Sequence, residues 1–135
     1  ALELPDGKIV HGKTSDLLGA SAALLLNALK VLAGINHEHH VISPDAIRPI
    51  QELKTRYLGS RNPRLHTDET LIALSVSAAS NPEARLALEQ LRRLKGCQAH
   101  TSVMLSSVDI LEFRRLGIEL TCEPKFENQK GNPRP

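Results

Sequence analysis

The densest run of reactive side chains is Gly59-Ser60-Arg61-Asn62-Pro63-Arg64-Leu65-His66-Thr67-Asp68-Glu69. Arg61 and Arg64 carry planar guanidinium forks that clamp a carboxylate or phosphate through paired N–H bonds. His66 can move protons near neutral pH, which makes it the catalytic candidate of the loop. A helix beginning at Thr67 adds its own N–H groups, and Asn62 adds a side-chain amide. The chemistry on offer is capture of an anion. The same residues also suit a plain loop whose acids cap the helix and whose arginines are solvated.

A second group precedes the longest apolar segment. Gly7-Lys8-Ile9-Val10-His11-Gly12-Lys13-Thr14 matches the P-loop pattern G-x-x-x-x-G-K-S/T letter for letter. A P-loop wraps phosphate with a flexible turn, yet Ile9 and Val10 read as strand and Pro5-Asp6-Gly7 reads as a hairpin turn. No acidic partner for magnesium ends a hydrophobic strand either. What survives is a simpler expectation: Gly12, Lys13, Thr14 and Ser15 at a helix N-terminus hold a phosphate or carboxylate.

Gly19-Ala20-Ser21-Ala22 resembles the G-P-S-A-G setting of the serine nucleophile in Lon-type peptidases, where a lysine is the base. The run from Gly96 to Pro124 is loosely similar to the closing strand–helix–strand of the same enzymes. Lys13, Lys54 and Lys95 are all possible partners. The helical wheel instead sets Ser21 among Leu17, Leu24, Leu25 and Ala28, where its hydroxyl bonds back to the Leu17 carbonyl. A helix start delayed to Gly19 would move Ser21 into the first turn and expose it. His37, Glu38, His39 and His40 look metal-like, but the spacing is not H-E-x-x-H, and a solvated loop is the expectation.

These residues must be positioned by a small set of elements. Leu2-Glu3-Leu4 and Lys8-Ile9-Val10 form a hairpin around Pro5-Asp6-Gly7. The main amphipathic helix runs from Thr14 or Ser15 to Gly34, with Leu17, Leu24, Leu25, Ala28 and Leu32 inward and Asn27 and Lys30 outward. Residues 39–43 (HHVIS) read as a short strand. Ser43 caps a second helix with Pro44 in its first turn, running to Gly59, with Pro49 kinking it or delaying its start. Thr67 caps a third helix, and Asn81-Pro82 restarts the chain as a fourth that closes at Gly96. A strand over 98–105, a helix capped by Ser107 and ended by Gly117, and a strand IELTC complete the chain. The last three predict a parallel β-α-β unit with a right-handed crossover, which separates Cys97 from Cys122. The fold class is therefore α/β, with helices packed on a small mixed sheet.

Composition narrows the partners. Apolar residues make up 41% of the 135, a globular value, and the aromatic residues are only Tyr57, Phe113 and Phe126. Single-stranded nucleic acid needs rows of stacking aromatics, so it is not an expected partner, and a formal charge of +2 does not call for a polyanion. No apolar run reaches membrane-spanning length and no signal peptide is visible. Two cysteines are too few for a disulfide framework, which points to the cytoplasm. The chain opens on Ala1 inside a strand-like run, so we read it as a piece of a longer protein. A single domain over 1–123 and a mobile tail over 124–135 are expected.

LPDGKIVHGKTS, GASAALLLNALKVLAG, YLGSRNPRLHTDETLIALSVSAA and LGIELTCEP together resemble the C-terminal part of the bacterial domain-of-unknown-function 1846 family. The likeness covers nearly all of residues 1–123. It implies a further N-terminal α/β region, and some relatives have been labelled ATP-dependent peptidases. No catalytic residue or cofactor follows from it. The leading expectation is a site for a small anion or nucleotide-like ligand, shared with that N-terminal region and built from Lys13, Thr14, Ser15, Arg61, Asn62, Arg64, His66 and Thr67. The alternatives are a serine hydrolase using Ser21 and a scaffold or homo-oligomerisation domain without ligand.

Overall fold

A computed structural model describes residues 1–102 and 104–122; the tail expected from Pro124 lies outside them. The hairpin forms as its turn chemistry requires. β1 (Leu2–Glu3) pairs antiparallel with β2 (Ile9–Val10), Leu2 opposite Val10. Gly7 takes φ 89°, a left-handed value that favours glycine, and donates its amide to the Leu4 carbonyl at 2.9 Å.

β3 (Gln98–Thr101) lies antiparallel to β1 on one side and parallel to β4 (Glu119–Cys122) on the other. The sheet order is β2-β1-β3-β4, with α5 (Ser107–Arg115) as the crossover of the predicted parallel unit. The expected strand over 98–105 thus ends at Thr101. Neither cysteine forms a disulfide. Burial, with Glu3 nearby, pushes the Cys97 thiol up, which disfavours the reactive thiolate.

The helices form one layer against this sheet. α1 (Ala20–Ala33) packs on α3 (Thr67–Ser77) and α4 (Pro82–Glu89), and buries Leu24, Leu25, Ala28 and Leu29. Leu2, Val10 and Ala99 from the sheet, Leu74 from α3 and Phe113 from α5 join them in one cluster. Each fully buried leucine of this set contributes roughly 2 kcal/mol by withdrawing its apolar surface from water. Gly34 closes α1 in the left-handed conformation at φ 71°, and Gly59, Gly96 and Gly117 follow later helical segments with the same sign of φ.

Several boundaries differ from the periodicity. α1 starts at Ala20, not near Thr14, because residues 15–19 are drawn into other bonds described below. HHVIS is not a strand: Val41 and Ile42 are buried, but the carbonyls of His37 and His39 turn to accept from Lys30 Nζ, each at 2.6 Å. Lys30, expected on the outer face, is therefore buried. Burial pushes its amine below the ordinary lysine range, with Glu83 pulling the other way. α2 (Pro44–Glu52) is capped by Ser43 as expected and continues through Pro49 into a π-helical turn over Leu53–Tyr57. The N-cap residue of α3 is His66, one position before Thr67, and that of α5 is Ser106, one before Ser107. The end of the fourth helix tightens into a 3₁₀ turn over Gln90–Leu94.

Candidate functional site

The segment before α1 is shaped by close packing and one tight turn. A Cβ at Gly12 would lie 2.4 Å from the Leu24 amide nitrogen, so only glycine lets this loop rest on α1. The second glycine of the P-loop-like pattern thus serves packing, while Ile9 and Val10 lie in β2. Ser15 Oγ accepts from the amides of Leu17 and Leu18, and the Ser15 amide donates to the Leu18 carbonyl at 2.9 Å. This closed turn stops Thr14 and Ser15 from starting the helix.

Leu17–Gly19 is then laced to the arginine loop. The Leu65 amide donates to the Leu17 carbonyl at 3.0 Å, and the Gly19 amide donates to the Leu65 carbonyl at 3.2 Å. Leu65 itself is fully buried. Arg64 Nε adds a bond to the Ser15 carbonyl at 2.6 Å. From the other side Lys54 Nζ, on a side chain only 8% exposed, donates to the Arg64 carbonyl and to Glu69 Oε1 at 2.8 Å. Glu69 Oε1 also accepts the His66 amide at 2.8 Å. The two loops singled out by their cations are therefore one structure.

A third element closes the arrangement. Asp109, in the first turn of α5, accepts the Thr67 amide at 3.0 Å and the Thr67 hydroxyl at 2.6 Å, both on Oδ1. Ser106 Oγ accepts the Asp109 amide and caps α5. The starts of α1, α3 and α5 thus face one hollow of about 280 Å³, lined by Thr14, Ser21, Asn62, Arg64, His66 and Asp109, with Met104 among its apolar neighbours. A second hollow of about 410 Å³ adjoins it, shares Thr14, Ala20 and Ser21 with it, and is lined by Lys13.

Five of the predicted site residues meet here: Thr14, Ser21, Asn62, Arg64 and His66. Lys13 faces the adjoining hollow. Arg61 is exposed and lines neither hollow, Ser15 is spent on its own turn, and Thr67 is fully buried with its hydroxyl committed to Asp109. Asp109 is not among the residues singled out by the sequence, and Lys54, a possible partner for Ser21 there, instead holds the arginine loop. The spacing of Ser106 and Asp109 is the S-x-x-D signature of a helix start, which marks the place but not the reach to Thr67. Ser21 is 6% exposed, at the second position of α1, and its hydroxyl has no partner among the described residues, neither the Leu17 carbonyl nor a lysine or imidazole. His39 Nδ1 pairs with Glu83 at 3.0 Å, and among the described residues no group of three or more His, Cys, Asp or Glu is placed to hold a metal ion. No described helix is long and apolar enough to cross a membrane.

Comparison with known proteins places the chain firmly. The model of the family "Domain of unknown function DUF1846, C-terminal" matches residues 1–131. A UPF0371 protein of Corynebacterium glutamicum is 60% identical over 129 residues, which is 96% of this chain and 26% of that protein. The UPF0371 protein of Streptococcus uberis is 49% identical over 130 residues, again 96% of this chain and 26% of the relative. The chain therefore spans about a quarter of the length of the curated relatives it matches, and the resemblance read from its motifs extends through most of the basic tail. It belongs to the DUF1846 family, of which it represents the C-terminal domain.

Proposed function

We propose that this domain binds a small anionic group at the start of α1, in a site that the remainder of the longer protein helps to enclose. One observation carries the reading: the buried hydroxyl of Ser21, unpartnered among the described residues, stands in the first turn of a helix that none of those residues caps. The amides of Ala20, Ser21 and Ala22 have no acceptor among the described residues, and Gly19 offers no side chain. Four N-terminal amides of any helix lack an intrahelical acceptor, and their aligned dipoles favour negative charge. An oxyanion there accepts from these amides and from Ser21, and relieves a cost of about 1–3 kcal/mol for each buried donor left unpaired. Arg64 supports the same charge. Its Nε is fixed to the Ser15 carbonyl, which holds the side chain in the hollow's wall and leaves the terminal nitrogens for a ligand.

The test is calorimetric titration of the full-length protein with inorganic phosphate. Binding that falls at least tenfold in Ser21→Ala and Arg64→Ala, with thermal stability retained, agrees with the proposal. Absence of phosphate binding by the unmodified protein, or affinities unchanged in both variants, refutes it.

A further inference from the structure

Across the hollow from the open helix start stands a group that an anion site alone does not need. Asp109 is 9% exposed, and both bonds it accepts from Thr67 fall on Oδ1. Its Oδ2 has no donor among the described residues, and Asp109 lines the same hollow as Ser21 and Arg64. A buried carboxylate oxygen without a donor is costly, and it repels a second negative charge. The hollow is thus polarised, with donors at α1 and an acceptor at α5.

Resting on the anion reading above, we infer that the ligand is two-ended: a phosphate ester whose organic part carries a hydroxyl, the phosphate at the start of α1 and the hydroxyl donating to Asp109. Inorganic phosphate fills only the first position. The volume of about 280 Å³ leaves room beyond a phosphate for a short substituent, with the His66 ring and the Met104 side beside it. A charged second anion is excluded by Asp109, and a purely apolar substituent leaves Oδ2 unpaired.

The experiment compares glycerol phosphate, methyl phosphate and inorganic phosphate by calorimetric titration of the full-length protein. Glycerol phosphate is expected to bind about tenfold more tightly than methyl phosphate, the scale of one hydrogen bond to a charged buried group. In Asp109→Asn the amide oxygen still accepts from Thr67 and the repelling charge is gone, so methyl phosphate binds at least as tightly as before while the preference for glycerol phosphate shrinks to a few-fold or less. Equal affinity of the unmodified protein for the two esters overturns the two-ended ligand and leaves the anion site standing. No binding of any of the three overturns the anion site itself. Should Asp109→Asn fail to fold, the comparison of esters on the unmodified protein decides alone.

Discussion

α1 and α3 begin at the same hollow, yet their first turns are treated in opposite ways. In α3 the His66 amide is taken by Glu69, the Thr67 amide by Asp109, and the Glu69 amide by Asp68. Two acids stand in that first turn, complementing the dipole, and a buried lysine neutralises one of them. In α1 there is no acid in the first turn and, among the described residues, no side-chain cap and no partner for the hydroxyl of the buried Ser21. One helix start is saturated by the protein and serves the fold. The other is left open beside it, which is the state expected of a surface kept for a ligand.

The largest effect should come from undoing the saturated side. Lys54→Ala removes the cation that joins the Arg64 carbonyl to Glu69 and leaves a partly buried carboxylate uncompensated. A loss of about 3 kcal/mol in urea unfolding is expected, at the lower end for a broken buried pair because Glu69 keeps some solvent contact. A loss under about 0.5 kcal/mol, the scale of a surface pair, would show that Lys54 does not hold the loop.

Gly12→Ala strikes the approach to α1. The new Cβ would meet backbone atoms of Leu24, which cannot swing aside as a side-chain tip can. Overpacking of this kind costs about 2 kcal/mol, read as a lower unfolding midpoint. A neutral Gly12→Ala would return that glycine to the phosphate-loop reading that its contacts with α1 now oppose.

How much of this was legible beforehand follows the range of the interactions. The hairpin, the parallel β-α-β unit and the glycine helix ends depend on neighbours in sequence, and all are present. The start of α1 lies later than the apolar period suggests because Leu17 and Leu18, partly buried as a helix would bury them, are held by pairing with Leu65. HHVIS reads as a short strand, yet Lys30 gathers the carbonyl of its first residue, His39, together with that of His37. Arg61 and Arg64 are indistinguishable by type and spacing. What separates them is the bond from Arg64 to Ser15 and the grip of Lys54, both contacts between segments distant in the chain.

The paired substitution Thr67→Val and Ser21→Ala sharpens the contrast further. Thr67→Val removes a fully buried hydroxyl donor to Asp109 and should cost about 1.5 kcal/mol, without touching the amides of α1. Ser21→Ala removes a buried hydroxyl that has no partner among the described residues, so stability should hold or rise by up to about 1–3 kcal/mol while phosphate affinity falls. Unfolding and titration of the same two variants read both effects. A large stability loss in Ser21→Ala would mean that the hydroxyl already serves the fold.

The smallest stability effect belongs to Gly19→Asp, which makes α1 resemble α3. Gly19 sits at φ −69° and ψ 164°, an extended conformation open to any residue, and a Cβ there meets nothing closer than the Leu65 carbonyl at 3.7 Å. An aspartate at this position can cap the free amides, and its charge suits the dipole. Relative to glycine the gain is only a few tenths of a kcal/mol, since glycine is itself a tolerated N-cap. Its effect on the ligand should be far larger, because the new carboxylate occupies the acceptor position and repels an incoming anion. A variant slightly more stable than the parent, yet unable to bind phosphate, is the outcome that follows if the open turn is the binding element. Retained binding would place the anion elsewhere, and a clear loss of stability would mean that the first turn of α1 has no room for an acceptor at all.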